Sequence, residues 1–217
     1  MKKLIDIIEG NKKIDSLDSM SDKLADHYPK TNELPHEEKR ALDNYTTSSR
    51  EINTYHWQRN NKVPKAYIPK KREAIEETSK NIDSSLSKNK TPHKLVVYSG
   101  TRIDPREHMD ENKIVNHPAY LSTSLDKQKA YLFSKKHSSR DENDIIHRHM
   151  LKIHVPKGSN GMYVENNVGL RGEKELILPR DTKLRHIKTE KKEETLPEDK
   201  NYKTHTHLHH MELVNDK

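Results

Sequence analysis

The sequence predicts an α+β fold in which helices come first and short β-strands follow. Up to residue 87, apolar residues recur at intervals of three and four, which is the period of an amphipathic helix. After residue 93, short runs rich in Val, Ile and Tyr replace this pattern, as is typical of strands. Because the helical segments precede the strands instead of alternating with them, the two classes of element are expected to form separate layers.

Composition narrows the class of protein. Charged residues make up 35% of the 217 residues, and the net charge of +7 allows attraction to nucleic acid or to an acidic partner. The chain has no cysteine, which excludes disulfides and a thiolate nucleophile or metal ligand. Its early apolar run, 4–8, is too short for a signal peptide, and no other segment approaches a membrane span. We therefore expect a soluble, cytoplasmic protein.

Helices are predicted in the first part of the chain from apolar spacing and from start signals. Pro35 is followed by two glutamates, which suit the positive end of a helix. The predicted helices are 2–9, 11–26, one that begins at Pro35, and 70–87.

A run of four hydroxyl residues, Thr46 to Ser49, offers an N-cap to a further helix. This helix carries the basic and aromatic residues 55–59, which could stack on nucleic acid. Aromatic residues on a helix more often pack against a core, and we favour that interpretation. Residues 1–90 are expected to form a helical region that packs on the rest of the chain.

The β-rich core is predicted to occupy 91–217. It contains a single further helix at 126–137, and its charge-rich segment 188–203 is expected to be mobile. The predicted strands are 95–98, 119–125, 145–155, 162–164, 173–178, 183–187 and 204–214.

Two glutamates, Glu173 and Glu175, stand one residue apart at the start of a short apolar run. If that run is a strand, its period of two places both carboxylates on the same face. Carboxylates that share a cleft repel each other, so such a pair suits a site that stabilises positive charge or handles a cationic substrate. Solvated charges on an exposed edge strand are the alternative.

Further motifs accompany this pair in a fixed order: Tyr98-Ser99-Gly100, then Leu121-Ser122-Thr123-Ser124, then Gly172-Glu173-Lys174-Glu175. Together they resemble the R-S-E class of mono-ADP-ribosyltransferases, whose fold is shared by clostridial binary toxins and arginine-specific transferases. Upstream, Tyr45-Thr46 and Ile52-Asn53 resemble the helical lead-in of that class. Within the class, the motifs are most similar to the Alt-type transferases of tailed phages. The resemblance covers roughly 41–187.

The resemblance implies a fold and three catalytic residues. The fold consists of two small packed β-sheets around an NAD⁺ cleft, after a helical N-terminal part. Glu175 matches the catalytic glutamate, which bonds the nicotinamide ribose and stabilises the oxocarbenium-like state. Glu173 matches the glutamate of arginine-modifying members, which orients and deprotonates the guanidinium. Ser122 matches the class serine, and the loop 165–172 would present the target.

The NAD⁺-binding residues implied by the resemblance include one departure from the class. The class arginine usually follows the aromatic residue directly, but this chain has Ser99 there. Arg102 is the nearest cation that could grip the phosphates, with Arg140 and Arg148 as alternatives. The other residues implied to bind the substrate are Tyr98, Ser99, Gly100, Thr123 and Ser124.

The implied reaction is the transfer of ADP-ribose from NAD⁺ to an arginine of a protein, a pentosyl transfer that needs no metal. The alternatives are an NAD⁺ glycohydrolase and a basic binding protein that has kept the fold without the activity. The phage resemblance implies a host target, with RNA polymerase as the leading candidate, in the host cytoplasm or after packaging in the virion. Nucleic acid is possible as a partner but is not favoured.

A histidine run, 205–210, closes the chain. On a strand, His205, His207 and His209 share one face, and imidazoles in a row can bind zinc or nickel. Because the run lacks a cysteine or a clear fourth ligand, a partly exposed closing strand without metal is favoured.

Overall fold

The computed structural model describes residues 17–30, 33–59, 72–164, 172–196 and 199–214. Within them, helices come first and the sheet follows, which confirms the predicted α+β class. The predicted helix at 2–9 lies outside the described residues. The described helices are α1 (Leu17–His27), α2 (His36–Arg59), α3 (Arg72–Lys88) and α4 (Lys127–Lys136), with a short 3₁₀ helix at Pro105–His108.

Most predicted strands form, together with two that the sequence did not predict. The two unpredicted strands are Ile114–His117 and the two-residue Ser139–Arg140. The strands are β1 (Leu95–Thr101), β2 (Ile114–His117), β3 (Leu121–Ser124), β4 (Ser139–Arg140), β5 (Ile146–Val155), β6 (Met162–Tyr163), β7 (Glu175–Leu178), β8 (Thr182–Leu196) and β9 (Asp199–Val214).

The sheet consists of two parts that meet at a narrow junction. Its strand order is β2-β8-β9-β5-β1-β3-β7-β6, and β4 pairs with β5. Neighbouring strands are antiparallel except for β5 and β9, which are parallel. Among the described residues, β1 and β3 share one register pair, Tyr98 opposite Ser124. The larger part, from β2 to β1, therefore meets the smaller part, β3-β7-β6, at a single point.

Helix α2 is kinked at Ser48, where the backbone leaves helical geometry (φ −149°, ψ 59°). The kink falls in the hydroxyl run that was predicted to cap a second helix. It divides α2 into two arms, one carrying Tyr45 and the other carrying Asn53. The second arm also buries Tyr55 and His56, as the core-packing interpretation predicted.

The charge-rich segment 188–203, which was predicted to be mobile, falls largely on two paired strands. β8 continues to Leu196 and β9 begins at Asp199, and the two strands pair along this stretch. Charge indicated mobility because charged side chains resist burial. On a paired strand, however, they can point to solvent without cost to the backbone hydrogen bonds, as Lys191 and Glu193 do while pairing at 2.9 Å.

An apolar cluster joins the helices to the sheet. It includes Leu42 of α2, Ile82 of α3, Val97 of β1 and Ile177 of β7, all fully buried. The helical part and the strands therefore share a core. None of the described helices combines the length and apolar character that crossing a membrane requires.

Candidate active site

The serine-rich strand and the glutamate strand are direct neighbours. In the antiparallel pair β3–β7, Ser124 lies opposite Glu175 and Ser122 lies opposite Ile177. Because residues two apart on a strand share a face, Ser122 and Glu175 are diagonal neighbours on one face. The pairing therefore brings together two of the three predicted catalytic residues.

A tyrosine from α2 completes this group. The Tyr45 hydroxyl lies 3.1 Å from Ser122 Oγ and accepts a hydrogen bond from Asn53 Nδ2, also at 3.1 Å. Burial raises the pKa of Tyr45, whereas its hydrogen bonds with Ser122 and Asn53 lower it, and the negative charge of Glu175 adds a smaller increase. The kinked helix and two strands converge on one polar site.

The amide oxygen of Asn53 is buried and has no hydrogen-bond partner among the described residues. A buried acceptor left without a partner costs roughly 1–3 kcal/mol. Such a cost is offset when a ligand or a water donates to the group. Tyr45 and Asn53 were missed as site residues, although the resemblance of their segment to the helical lead-in of the class was the signal.

Glu173 is not related to Glu175 in the way that the sequence predicted. β7 begins at Glu175, and the residues before it form a turn with left-handed φ values of 48° at Lys174 and 90° at Gly172. The period of two therefore does not extend to Glu173, and the shared face expected from strand geometry is wrong. Glu173 lies half-buried in the turn that precedes the strand.

This turn is anchored from three directions. Ser124 Oγ donates to the carbonyl of Glu173 at 2.5 Å, and the amide of Leu125 donates to the carbonyl of Lys174 at 3.0 Å. The ammonium of Lys174 pairs with Asp18 of α1 at 2.5 Å. The position of Glu173 is therefore fixed by the serine-rich strand and by the first described helix.

The remaining hydroxyls of the serine-rich strand bond within the protein. Thr123 Oγ1 donates to the carbonyl of Leu176 at 2.6 Å, and Ser124 Oγ also accepts from the amide of Asp126 at 3.0 Å. Both residues were implied to bind NAD⁺. In the structure their hydroxyls hold β3 against β7 and against the start of α4, and their binding to NAD⁺ stays a prediction.

Strand β1 contributes packing at the three positions implied to bind NAD⁺. Ser99 Oγ donates to the carbonyl of Ser122 at 2.9 Å, across the point where β1 and β3 separate. A Cβ added at Gly100 would lie 2.4 Å from the backbone nitrogen of Ser134, so glycine is needed there for the close approach of α4. Tyr98 lies opposite Ser124, and burial raises the pKa of its hydroxyl.

Two arginines flank the end of β1. Arg102 is exposed in the bend that follows the strand. Arg148 lies beside it on β5, since its neighbour His149 pairs with Thr101. The Arg148 guanidinium is buried, donates from Nη1 to the Tyr131 hydroxyl at 3.1 Å, and leaves Nε without a partner among the described residues. Arg140 is exposed and pairs with Asp144 at 3.2 Å.

A family model described as ADP-ribosyltransferase exoenzyme matches residues 21–210. The chain belongs to this family. Among curated proteins, the NAD(+)--arginine ADP-ribosyltransferase EFV of Enterococcus faecalis is 25% identical over 117 residues. That match covers 54% of this chain and 23% of the relative, so the chain spans about a quarter of the length of that protein.

Solved structures of ADP-ribosyltransferase toxins share the fold of this family member. Plx2a from Paenibacillus larvae superposes with a TM-score of 0.65 at 21% identity, covering 92% of this chain and 96% of the toxin. The Clostridium limosum C3 exoenzyme gives 0.63 at 19% identity, covering 95% and 98%. BECa of C. perfringens, solved with NADH, gives 0.65 at 19% identity, covering 91% and 48%. The expectation of an ADP-ribosyltransferase fold is confirmed.

Proposed function

We propose that this chain is an NAD⁺-dependent mono-ADP-ribosyltransferase that modifies arginine side chains of proteins. The observation that carries the proposal is the convergence of Ser122, Tyr45 and Glu175 at the β3–β7 pair. Family membership supports the reaction, and a relative named as an arginine ADP-ribosyltransferase supports the acceptor.

Glu175 is assigned the step that releases nicotinamide. The bond between the nicotinamide nitrogen and ribose C1′ breaks, its electron pair leaves with nicotinamide, and positive charge develops on the ribose. A carboxylate next to that carbon stabilises the charge as it forms. The hydroxyls of Ser122 and Tyr45 are assigned the orientation of Glu175 and of the ribose hydroxyls, because Ser122 shares a face with Glu175 and Tyr45 bonds Ser122 Oγ.

Glu173 is assigned the acceptor step. An arginine guanidinium is permanently protonated in water and is a poor nucleophile until it is oriented. A guanidinium nitrogen forms the new bond to ribose C1′, and the proton that it loses passes to the Glu173 carboxylate. The anchored turn suits this role because it holds Glu173 half-buried next to the start of β7.

Arg102 is assigned the binding of the NAD⁺ phosphates. Ser99 stands at the position of the class arginine, and the Ser99 hydroxyl is bonded to β3. Arg148 is the second candidate because its buried Nε donor has no partner among the described residues. Asn53 is added to the NAD⁺-binding residues on the strength of its unpartnered amide oxygen.

The resemblance to tailed-phage Alt-type transferases extends the proposal to the target. A phage enzyme of this kind would act on a protein of the bacterial host, in the host cytoplasm or on release from the virion. Host RNA polymerase is the first protein to test. An exposed arginine on the acceptor is the chemical requirement that the assigned role of Glu173 imposes.

The test is to incubate the chain with labelled NAD⁺ and one of two acceptors. The first is agmatine, a small guanidine, and the second is a bacterial lysate. We expect labelled agmatine and a labelled protein band, both lost in Glu175→Gln. Nicotinamide release without labelling would identify a glycohydrolase instead. If neither product forms, and millimolar NAD⁺ leaves the melting temperature unchanged, the chain is a binding protein of this fold.

A further inference from the structure

A row of five imidazoles crosses the sheet where β5 and β9 run side by side in parallel. His205, His207 and His209 lie on one face of β9, as predicted, but they are buried and not partly exposed. β5 adds His147 and His149 to the same face, since His147 pairs with His205 and His149 pairs with His207. The rings of His147 and His207 are stacked at 5.3 Å.

We propose that His147, His205 and His207 form a binding site for a transition-metal ion that prefers imidazole, with Zn²⁺ as the first ion to test. Their ligand atoms all lie within 4.8 Å of one another, and His147 Nδ1 is 3.1 Å from His207 Nε2. Two nitrogens bound to one tetrahedral zinc at its usual bond length are about 3.3 Å apart. One pair of ligands is thus already at coordination spacing, and a small movement of His205 completes a three-nitrogen site with an open position for water.

The protonation pattern around His147 suits a metal ligand. Asp141 Oδ2 lies 3.0 Å from His147 Nε2, where the carboxylate accepts a hydrogen bond from the Nε2–H group. The lone pair of Nδ1 then faces His207. Asp141 is itself held by the backbone amides of Asn143 and Ile145, each at 2.9 Å. A carboxylate that fixes the outer nitrogen of a ligating histidine is the usual support of a zinc site.

Burial also keeps the rings available as ligands. The exposure of His205 is 7% and that of His207 is 8%. Rings enclosed to this extent shield a bound ion from competing water. Two strands distant in sequence and the Asp141 loop would be joined by one ion.

Asp104, His149 and His209 form a second group of possible ligands. Its two histidines stand two residues further along β5 and β9 than His147 and His207. His149 Nδ1 is again 3.1 Å from His209 Nε2. However, both oxygens of Asp104 accept from Arg106 Nε at 3.0 Å, and Asp104 Oδ1 is 3.9 Å from His209 Nε2. The guanidinium occupies the carboxylate and repels a dication, so we assign the ion to the first group.

The test uses the full chain freed of metal and titrated with Zn²⁺ in competition with a chromophoric chelator. We expect one ion per chain and a rise in melting temperature on the order of 5 °C. His147→Gln should weaken binding at least a hundredfold, and Asp141→Asn by roughly ten- to a hundredfold. His154→Gln, on the opposite face of β5, and His149→Gln, in the second group, should bind as the unmodified chain does.

Three results would overturn the proposal: no Zn²⁺ bound above micromolar affinity, unchanged binding in His147→Gln, or loss of the ion in His149→Gln. Melting of each variant in metal-free buffer shows whether it folds. A measurement without any variant keeps the test independent of folding. Anomalous diffraction from crystals grown with Zn²⁺ should show a peak between His147, His205 and His207, and a peak elsewhere would contradict the assignment.

Discussion

The β3–β7 site and the imidazole row are two polar clusters of one sheet, and they are built in different ways. The first joins short antiparallel strands whose motifs stand in order along the chain, and its hydroxyls bond mostly to backbone carbonyls. The second joins parallel strands, and each of its bonded ring pairs is 60 residues apart in sequence. A site can be recognised in the sequence when its members share a local motif, and it is hidden when strand pairing alone brings them together.

The largest effect is expected for Glu175→Gln, which keeps the size of the side chain but removes its charge. Both transfer to agmatine and NAD⁺ hydrolysis should fall by a factor on the order of a hundred or more, because both need charge stabilisation at the ribose. Zn²⁺ binding should not change. Nicotinamide release and labelled agmatine are the measurements, with Glu212→Gln, an exposed acid on β9, as the control. Full hydrolysis by Glu175→Gln would remove this residue from the chemistry.

Glu173→Gln should separate the two activities. We expect labelling of arginine or agmatine to fall at least tenfold, since the guanidinium loses its proton acceptor. NAD⁺ hydrolysis should stay within a few-fold of the unmodified chain, because the nicotinamide step relies on Glu175. Both products are measured in one assay with labelled NAD⁺. Normal arginine labelling by this variant would contradict the assignment.

The sequence located much of the β3–β7 site and misjudged how it is built. The resemblance pointed to Ser122 and Glu175, and the structure places them on one face. The strand argument failed for Glu173 because Lys174 has a positive φ, and apolar patterning carries no information about such a turn. Tyr45 and Asn53 were missed because the kink at Ser48 brings together two arms of a helix.

The imidazole row shows the opposite failure. The sequence shows the histidine run at 205–210, but it shows no clear fourth metal ligand to accompany that run. Further imidazoles come from His147 and His149, which reach the row only because β5 pairs with β9 in parallel. Strand pairing over this separation cannot be read from local patterns, since any of several strands could have been the neighbour. The same limit explains why 188–203 was not predicted to be paired.

Arg102→Ala should act on substrate binding and leave the chemical step largely unchanged. Losing a cation that grips phosphate is expected to raise the KM for NAD⁺ by about tenfold, with a smaller change in kcat. Ser99→Ala is the matched control and should leave KM nearly unaltered, because its hydroxyl bonds to the backbone of β3. A normal KM in Arg102→Ala would transfer the role to Arg148, which Arg148→Met would then test.

Tyr45→Phe should have a moderate effect, because the buried ring stays and only the hydroxyl is lost. That hydroxyl bonds Ser122 Oγ and Asn53 Nδ2, so its removal leaves the Asn53 amide without a partner. We expect kcat to fall roughly three- to tenfold and stability to fall by about 1 kcal/mol. Tyr55→Phe, on the same helix but bonded to Glu76, should keep its activity. Equal activity losses in both variants would indicate a general effect on α2.

The smallest effect on catalysis is expected from removing metal, and it tests whether the two clusters are independent. The proposed reaction uses the carboxylates and hydroxyls of β3, β7 and α2, whereas the proposed ion is held by β5 and β9. Chelation should therefore lower the melting temperature while kcat stays within about twofold, because a ligand bound only to the native state acts on stability by mass action.

One route could couple the clusters. His149 pairs with Thr101, which directly precedes Arg102. A shift of the imidazole row on loss of the ion could therefore move Arg102 through the end of β1 and weaken its binding of the NAD⁺ phosphates. Such coupling would appear as a rise in the KM for NAD⁺ on chelation that Zn²⁺ reverses, and it should be absent in Arg102→Ala. If kcat itself falls sharply on chelation and returns with Zn²⁺, the two clusters act as one site.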